Sequence, residues 1–182
     1  MGRLPEGLRE VMSAFPFTGT VIWIGVRPAP REPMVPMQSV EAIAGRGLAG
    51  DRTAEKSRPG NPRQVTFIQA EHLVAIGRLL QRDAIDPALA RRNVVVAGIN
   101  LLALKGHRFA IGNAVFEMTG DCQPCSLMER QLGAGGYNAM RGHGGITARV
   151  VESGTLLVGA PVTPIIGAVT VTADAAGGQE RQ

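Results

Sequence analysis

The feature that most constrains this chain is its punctuation. Apolar runs such as Thr20–Val26, Val40–Ile43, Val65–Ile68, Val94–Val96, Ala114–Met118, Ile146–Val151 and Leu156–Val158 are all short, and a glycine or proline lies within three residues of one end of each. Turn residues recur roughly every 8–12 positions, which suits the strands of a barrel or sandwich and not long helices. The counts agree: 24 Gly and 12 Pro stand among 182 residues, while aromatics make up only 4%. Several runs alternate apolar with polar residues, as Thr20–Val26 and Ala114–Met118 do, and read as half-buried strands. Val94-Val95-Val96 is apolar throughout and reads as a strand buried on both faces. The expectation is a mainly β, mixed α+β fold: a β-barrel-like core of roughly eight or more strands, with a few short helices as lids.

Helical spacing is confined to a few places. Leu4, Leu8, Val11, Met12 and Phe15 fall at helical spacing with Pro5 near the start, and read as a short packing helix. Glu71–Gln81 carries Leu73, Ile76, Leu79 and Leu80 on one side and is the best helix of the chain. Asp86-Pro87 starts another short turn or helix, and Asp121 or Ser126 is placed to cap one through Leu127, Met128 and Leu132. Pro28, Pro30, Pro33 and Pro36 stiffen an excursion suited to a lid or an edge cover. Phe109–Ile111 and Val115-Phe116 form a hairpin turning at Gly112-Asn113, and Gly133–Gly136 is a flexible link. The chain divides into a helical extension over 1–20, one domain over 21–170, and a small, polar, disordered tail over 171–182.

Charge narrows the function classes. The net charge is +4, and only two of the 19 basic residues are lysine. Arginine offers a planar fork of donors to phosphates and other oxyanions. Nucleic-acid binding calls for basic clusters interleaved with aromatics, and none is present. Two cysteines are too few for a disulfide framework, and no apolar run reaches the ~18 residues that span a bilayer. The N-terminal residues mix acidic and basic side chains, unlike a secretion signal. A cytoplasmic location with reduced thiols is expected.

Both cysteines lie in Cys122-Gln123-Pro124-Cys125, just past an alternating strand. The pair can be two small buried residues. A thioredoxin-like redox role wants a βαβ context, and none is read from the sequence here. Structural zinc would need His107 and His143 to complete the set, at a spacing unlike a finger's. A further reading is a single thiolate that ligates a soft or high-valent metal or carries sulfur. Gly45-x-Gly47-x-x-Gly50 matches a dinucleotide-loop spacing, but the stretch after it reads as a long polar loop with no helix expected for the phosphates to sit on, and no Gly-Lys-Ser/Thr closes it. Arg91-Arg92-Asn93 precedes a core strand. It either presents donors at the strand's rim or is a solvated pair of charges beside a turn-favouring Asn.

Taken together, the motifs fall in a familiar order. Gly47-Leu48-x-Gly50-Asp51-Arg52 is followed by Arg63-x-Val65-Thr66-Phe67-Ile68-x-x-Glu71, Arg91-Arg92-Asn93-Val94 and Gly98-x-Asn100-Leu101. Then come Gly120-x-Cys122-x-Pro124-Cys125 and Gly144-Gly145-x-x-Ala148-Arg149-Val150, with Gly154 and Gly159 near the end. From about Val21 to Ile166 the sequence resembles the MOSC domain, named for the C-terminal domain of molybdenum-cofactor sulfurases, in a stand-alone bacterial form. The resemblance implies a pyruvate-kinase-like mixed β-barrel that binds a molybdopterin-type cofactor. It also implies a family thiol that ligates molybdenum or carries sulfur. Cys125 matches that thiol best, with Cys122 as the alternative. Arg91 and Asn93 match cofactor-contacting positions, and Arg52, Arg63, Arg141 and Arg149 are further candidates. Relatives reduce amidoximes or detoxify N-hydroxylated bases, so a molybdenum-dependent reductase is expected. It would need an external electron donor, since no flavin, haem or iron–sulfur motif occurs. The alternatives are a sulfur carrier loaded by a pyridoxal-phosphate-dependent cysteine desulfurase, and a non-catalytic cofactor-binding module.

Overall fold

A computed structural model describes residues 5–166 apart from Ser57 and Pro59, so the tail over 171–182 lies outside the described residues. Along the chain the strands are β1 (Gly19–Val26), β2 (Val35–Met37), β3 (Ser39–Ile43), β4 (Gly47–Leu48), β5 (Val65–Gln69) and β6 (Val94–Ala97). They continue as β7 (Arg108–Ile111), β8 (Ala114–Asp121), β9 (Ile146–Glu152), β10 (Gly154–Leu157) and β11 (Pro161–Ile165). The helices are α1 (Glu6–Met12), α2 (Arg52–Lys56), α3 (Ala70–Leu79), α4 (Pro87–Ala90), α5 (Ser126–Leu132) and α6 (Gly136–Ala139), with a 3₁₀ turn at Leu101–Leu104.

Seven strands close into a mixed β-barrel. The order is β11-β7-β8-β9-β5-β6-β1, and β11 pairs again with β1 through Gly19↔Val162. Neighbours in the ring are antiparallel except β5 and β6, whose parallel pairing requires the long crossover that holds α3 and α4. β2 extends the sheet beyond β1, so the proline-rich excursion is partly a strand that covers an edge. Pro36 costs that strand a donor, which an edge position tolerates. A small sheet of β10, β3 and β4 stands beside the barrel.

The two-residue period of a strand divides the core into two compartments. On β5, Phe67 points into the barrel and Ile68 points out to the helices; on β6, Val94 and Val96 point in and Val95 points out. This is why Val94-Val95-Val96 carries no polar residue. Inside, Phe67, Phe109 and Phe116 are fully buried with ring centroids 5.3–5.4 Å apart. Outside, Leu73 and Ile76 of α3 meet Met128 and Leu132 of α5 and Ala139 beside Met140 at the end of α6. α5 is capped by neither Asp121 nor Ser126: Asp121 ends β8, and the N-cap is Cys125, whose side chain makes no capping bond. β8 reaches that far because a register shift between Met118 and Gly120 keeps it paired with β9. The Gly133–Gly136 link leads directly into the one-turn helix α6.

Candidate functional site

The site is assembled at one rim of the barrel, where β1 and β8 end and β6 and β9 begin. Asn93 ties these segments together. Its Oδ1 accepts from the Thr66 backbone N–H (3.1 Å) and hydroxyl (2.8 Å), and its Nδ2 donates to the Gly25 carbonyl (3.2 Å) and to Asp51 Oδ2 (3.0 Å). Buried Asp51 also accepts from the backbone N–H groups of Arg27 and Thr53. A side-chain amide offers two donors and two acceptor sites, and here the protein occupies all of them.

The flanking arginines differ in their duties. Arg91 caps α4 in the left-handed region (φ 55°), and its Nη1 donates to the Glu32 carbonyl of the proline-rich segment (3.0 Å). Arg92 turns inward. Its Nε donates to the Gly144 carbonyl (2.7 Å), Nη1 to the Ala90 carbonyl (3.0 Å) and Nη2 to the Cys122 carbonyl (3.2 Å). Gly144 and Gly145 make this approach possible: a Cβ on Gly144 would strike the Cys122 carbonyl, and one on Gly145 (φ 83°) would strike the Phe67 carbonyl. The Gly145 carbonyl in turn accepts from the Cys122 N–H at 2.8 Å.

A cleft of about 240 Å³ opens here, lined by Arg27, Arg63, Arg91, Arg92 and both cysteines, with Met34 and Leu127 among its apolar walls. Cys125 is exposed and Cys122 is buried, and both are free thiols. The lining contains four arginines and no carboxylate. Arg27 Nε is buried without a hydrogen-bond partner. Burial pushes the Arg27 guanidinium below its usual range; Asp51 opposes that, and the charges of Arg91 and Arg52 add to it. Burial pushes Arg92 down as well, against the opposing influence of the two cysteines. A pocket of this kind attracts an anion and holds a sulfur beside it. A wider groove of about 540 Å³ beside β3 and β10 is lined by Met37, Glu41, Asn113 and Thr155 and holds neither cysteine nor arginine.

Of the residues singled out in the sequence, Cys122, Cys125, Arg63, Arg91 and Asn93 meet at this cleft. Arg52 sits half-buried on α2, its backbone N–H bonded to the Arg27 carbonyl. Arg141 is exposed in the turn after α6 and outside the cleft lining. Arg149 lies on β9, paired with Glu117 at 2.9 and 3.1 Å, and borders a separate groove. Two contributors were not singled out. Arg27 follows β1 and gave no local signal apart from being a cation at a strand end. Arg92 sits inside a motif already noticed, but only its inward turn separates its role from that of Arg91. His107 packs edge-on against Phe15, and His143 edge-on against His72. Among the described residues no three His, Cys, Asp or Glu side chains group to hold a metal ion. No described helix is long and apolar enough to cross a membrane.

Known proteins share this fold. The chain is similar in fold to the YuaD protein of Bacillus subtilis, at 20% identity over 81% of this chain and 96% of that one, with a TM-score of 0.69. It is also similar to YiiM from Geobacillus stearothermophilus (18% identity, 84% and 77% covered, TM-score 0.67) and to YiiM from Escherichia coli (19%, 86% and 74%, TM-score 0.63). The chain matches no curated protein. The family model of the MOSC domain matches residues 54–163, a span that includes β5 to β9, both cysteines and the Arg91–Asn93 turn. The chain therefore belongs to the MOSC domain family, which is associated with molybdenum-cofactor binding.

Proposed function

We propose that the protein binds a molybdopterin-type cofactor in the arginine-lined cleft and uses it to reduce N-hydroxylated compounds. The observation that carries this reading is a single cleft that joins an exposed thiol, Cys125, to four guanidinium groups with no carboxylate among them. The residues fit such a guest. Among the described residues, Arg27 has a buried Nε without a partner and Arg91 commits one nitrogen to the protein. Both therefore keep donors for an anionic group. Cys125 is a soft ligand suited to the metal, and with no other ligand cluster nearby the guest would bring its remaining ligands itself. When bound, such a cofactor supplies two-electron oxygen-transfer chemistry.

The residues of the chain then have distinct tasks. Arg27, Arg63 and Arg91 hold the anionic portion, and Asn93 fixes the Arg27 segment through Gly25 and Asp51. Met34 and Leu127 exclude water from one wall. Converting N–OH to N–H consumes two electrons and two protons and releases water, so an external electron donor is the implied partner. Exposure of Cys125 also supports a second reading, in which its sulfur attacks the outer sulfur of a desulfurase persulfide and the desulfurase thiolate departs.

Purification from cells able and unable to make the cofactor tests the first reading. Stoichiometric molybdenum is expected only from the former, and Cys125→Ser should lower it while leaving the fold intact. Absence of molybdenum in both preparations overturns the proposal. A mass increase of one sulfur on Cys125 after incubation with a cysteine desulfurase and cysteine would favour the second reading.

A further inference from the structure

We propose that Arg92 is the positioning residue of the cleft: it fixes the turn that carries Cys122 and Cys125 and keeps a positive charge behind both sulfurs. Its guanidinium binds three backbone carbonyls from separate segments: Ala90 before β6, Cys122 after β8, and Gly144 before β9. Each carbonyl is met by a different nitrogen of the planar fork, whereas a lysine gathers all its donors on one nitrogen and does not span the same acceptors. The side chain is 6% exposed, and no carboxylate forms an ion pair with it among the described residues. A charge buried without a counter-ion is costly and persists where it serves a purpose. Here the ionisable groups that bear on it are the two thiols and Arg63. Three of its five N–H bonds are committed to carbonyls, and Arg92 still borders the cleft. Deleting the fork would release Cys122, whose carbonyl and N–H are both held by this one junction. The inference deepens the reading of this cleft as the reactive site and rests on it.

Thiol labelling of the full chain tests it without any cofactor, so a protein that never acquires molybdenum can still pass or fail. The wild type is treated with iodoacetamide and iodoacetate, and the rates at each cysteine are read by peptide mass spectrometry. Cys125 should label and Cys122 should be protected. At Cys125 the ratio of anionic to neutral reagent should exceed that of the urea-unfolded chain. Arg92→Lys keeps the charge but loses the fork, so Cys122 should label within roughly tenfold of Cys125 while the reagent ratio holds. Arg92→Met should expose Cys122 and also lower the reagent ratio by roughly threefold. Circular dichroism confirms folding of each variant. The proposal is overturned if folded Arg92→Lys protects Cys122 as the wild type does, or if folded Arg92→Met leaves the reagent ratio unchanged. Should neither variant fold, the wild type decides: equal labelling of the two cysteines overturns it.

Discussion

Asn93 has no hydrogen-bonding capacity left over, and that defines its contribution. Its amide spans β1, β5 and the Asp51 turn, so it acts on the cleft by holding Arg27 in place and not by reaching outward. Asn93→Leu would remove the side-chain partner of the Gly25 carbonyl and of the Thr66 N–H and take one of three donors from the Asp51 carboxylate. Buried polar groups left without partners typically cost about 1–3 kcal/mol each. The expected loss is about 3 kcal/mol or more, read as a lowered urea midpoint with an unchanged slope. Gly145→Ala should be as damaging for another reason. A Cβ there meets the Phe67 carbonyl, and φ is 83°. Poor soluble yield or a clearly lowered melting temperature is the expected result.

At the level of elements, α5 and α6 are joined by a clasp. Glu129 of α5 accepts from the N–H groups of Gly135 and Tyr137, both at 2.8 Å, and these bonds fix the glycine link. The hydrogen bonds from Tyr137 and then Gly135 lower the Glu129 pKa from its ordinary value of 4.5. The folded pKa lies below the unfolded one, so the stabilisation is fully present above 4.5. It is lost as pH falls through the lower folded value. Glu129→Gln should therefore be less stable than the wild type at neutral pH, with a gap that narrows on acidification below 4.5. Melting curves taken across that range test this, and a gap independent of pH would refute it. Because α5 follows Cys125 directly, loosening the clasp should also raise the mobility of the cysteine turn.

For the whole molecule, the central question is whether barrel and helical layer are one cooperative unit. β5 and β6 contribute side chains to both compartments, so loss of packing in one should weaken the other and the two should melt together. Phe67→Ala removes a fully buried ring from contact with Phe109 and Phe116 and should cost about 3–5 kcal/mol. Trp23 packs toward the helical layer, opposite that cavity. Its fluorescence should nevertheless shift to lower denaturant together with the far-ultraviolet signal. Separate transitions would show that the layers unfold independently.

The sequence alone determined what depends on near neighbours. Two-residue alternation located β1 and β8, short apolar runs located β5, β6 and β9, glycine and proline marked the turns, and the order of short motifs identified the MOSC family. It also grouped Cys122 with Cys125 and Arg91 with Asn93, since each pair belongs to one motif. The reach of β8 to Asp121 and the cap at Cys125 were not legible, because a register shift against a distant strand sets them. Pairing between distant strands decided the rest. β1 against β6 brings Arg27 to the rim that also holds Cys122, and β8 against β9 sets Arg149 on Glu117 outside the cleft; at the same rim Arg92 turns inward while Arg91 faces the proline-rich segment. Local sequence fixes period and turn, whereas the charge that meets a given sulfur depends on the register of strands far apart in the chain.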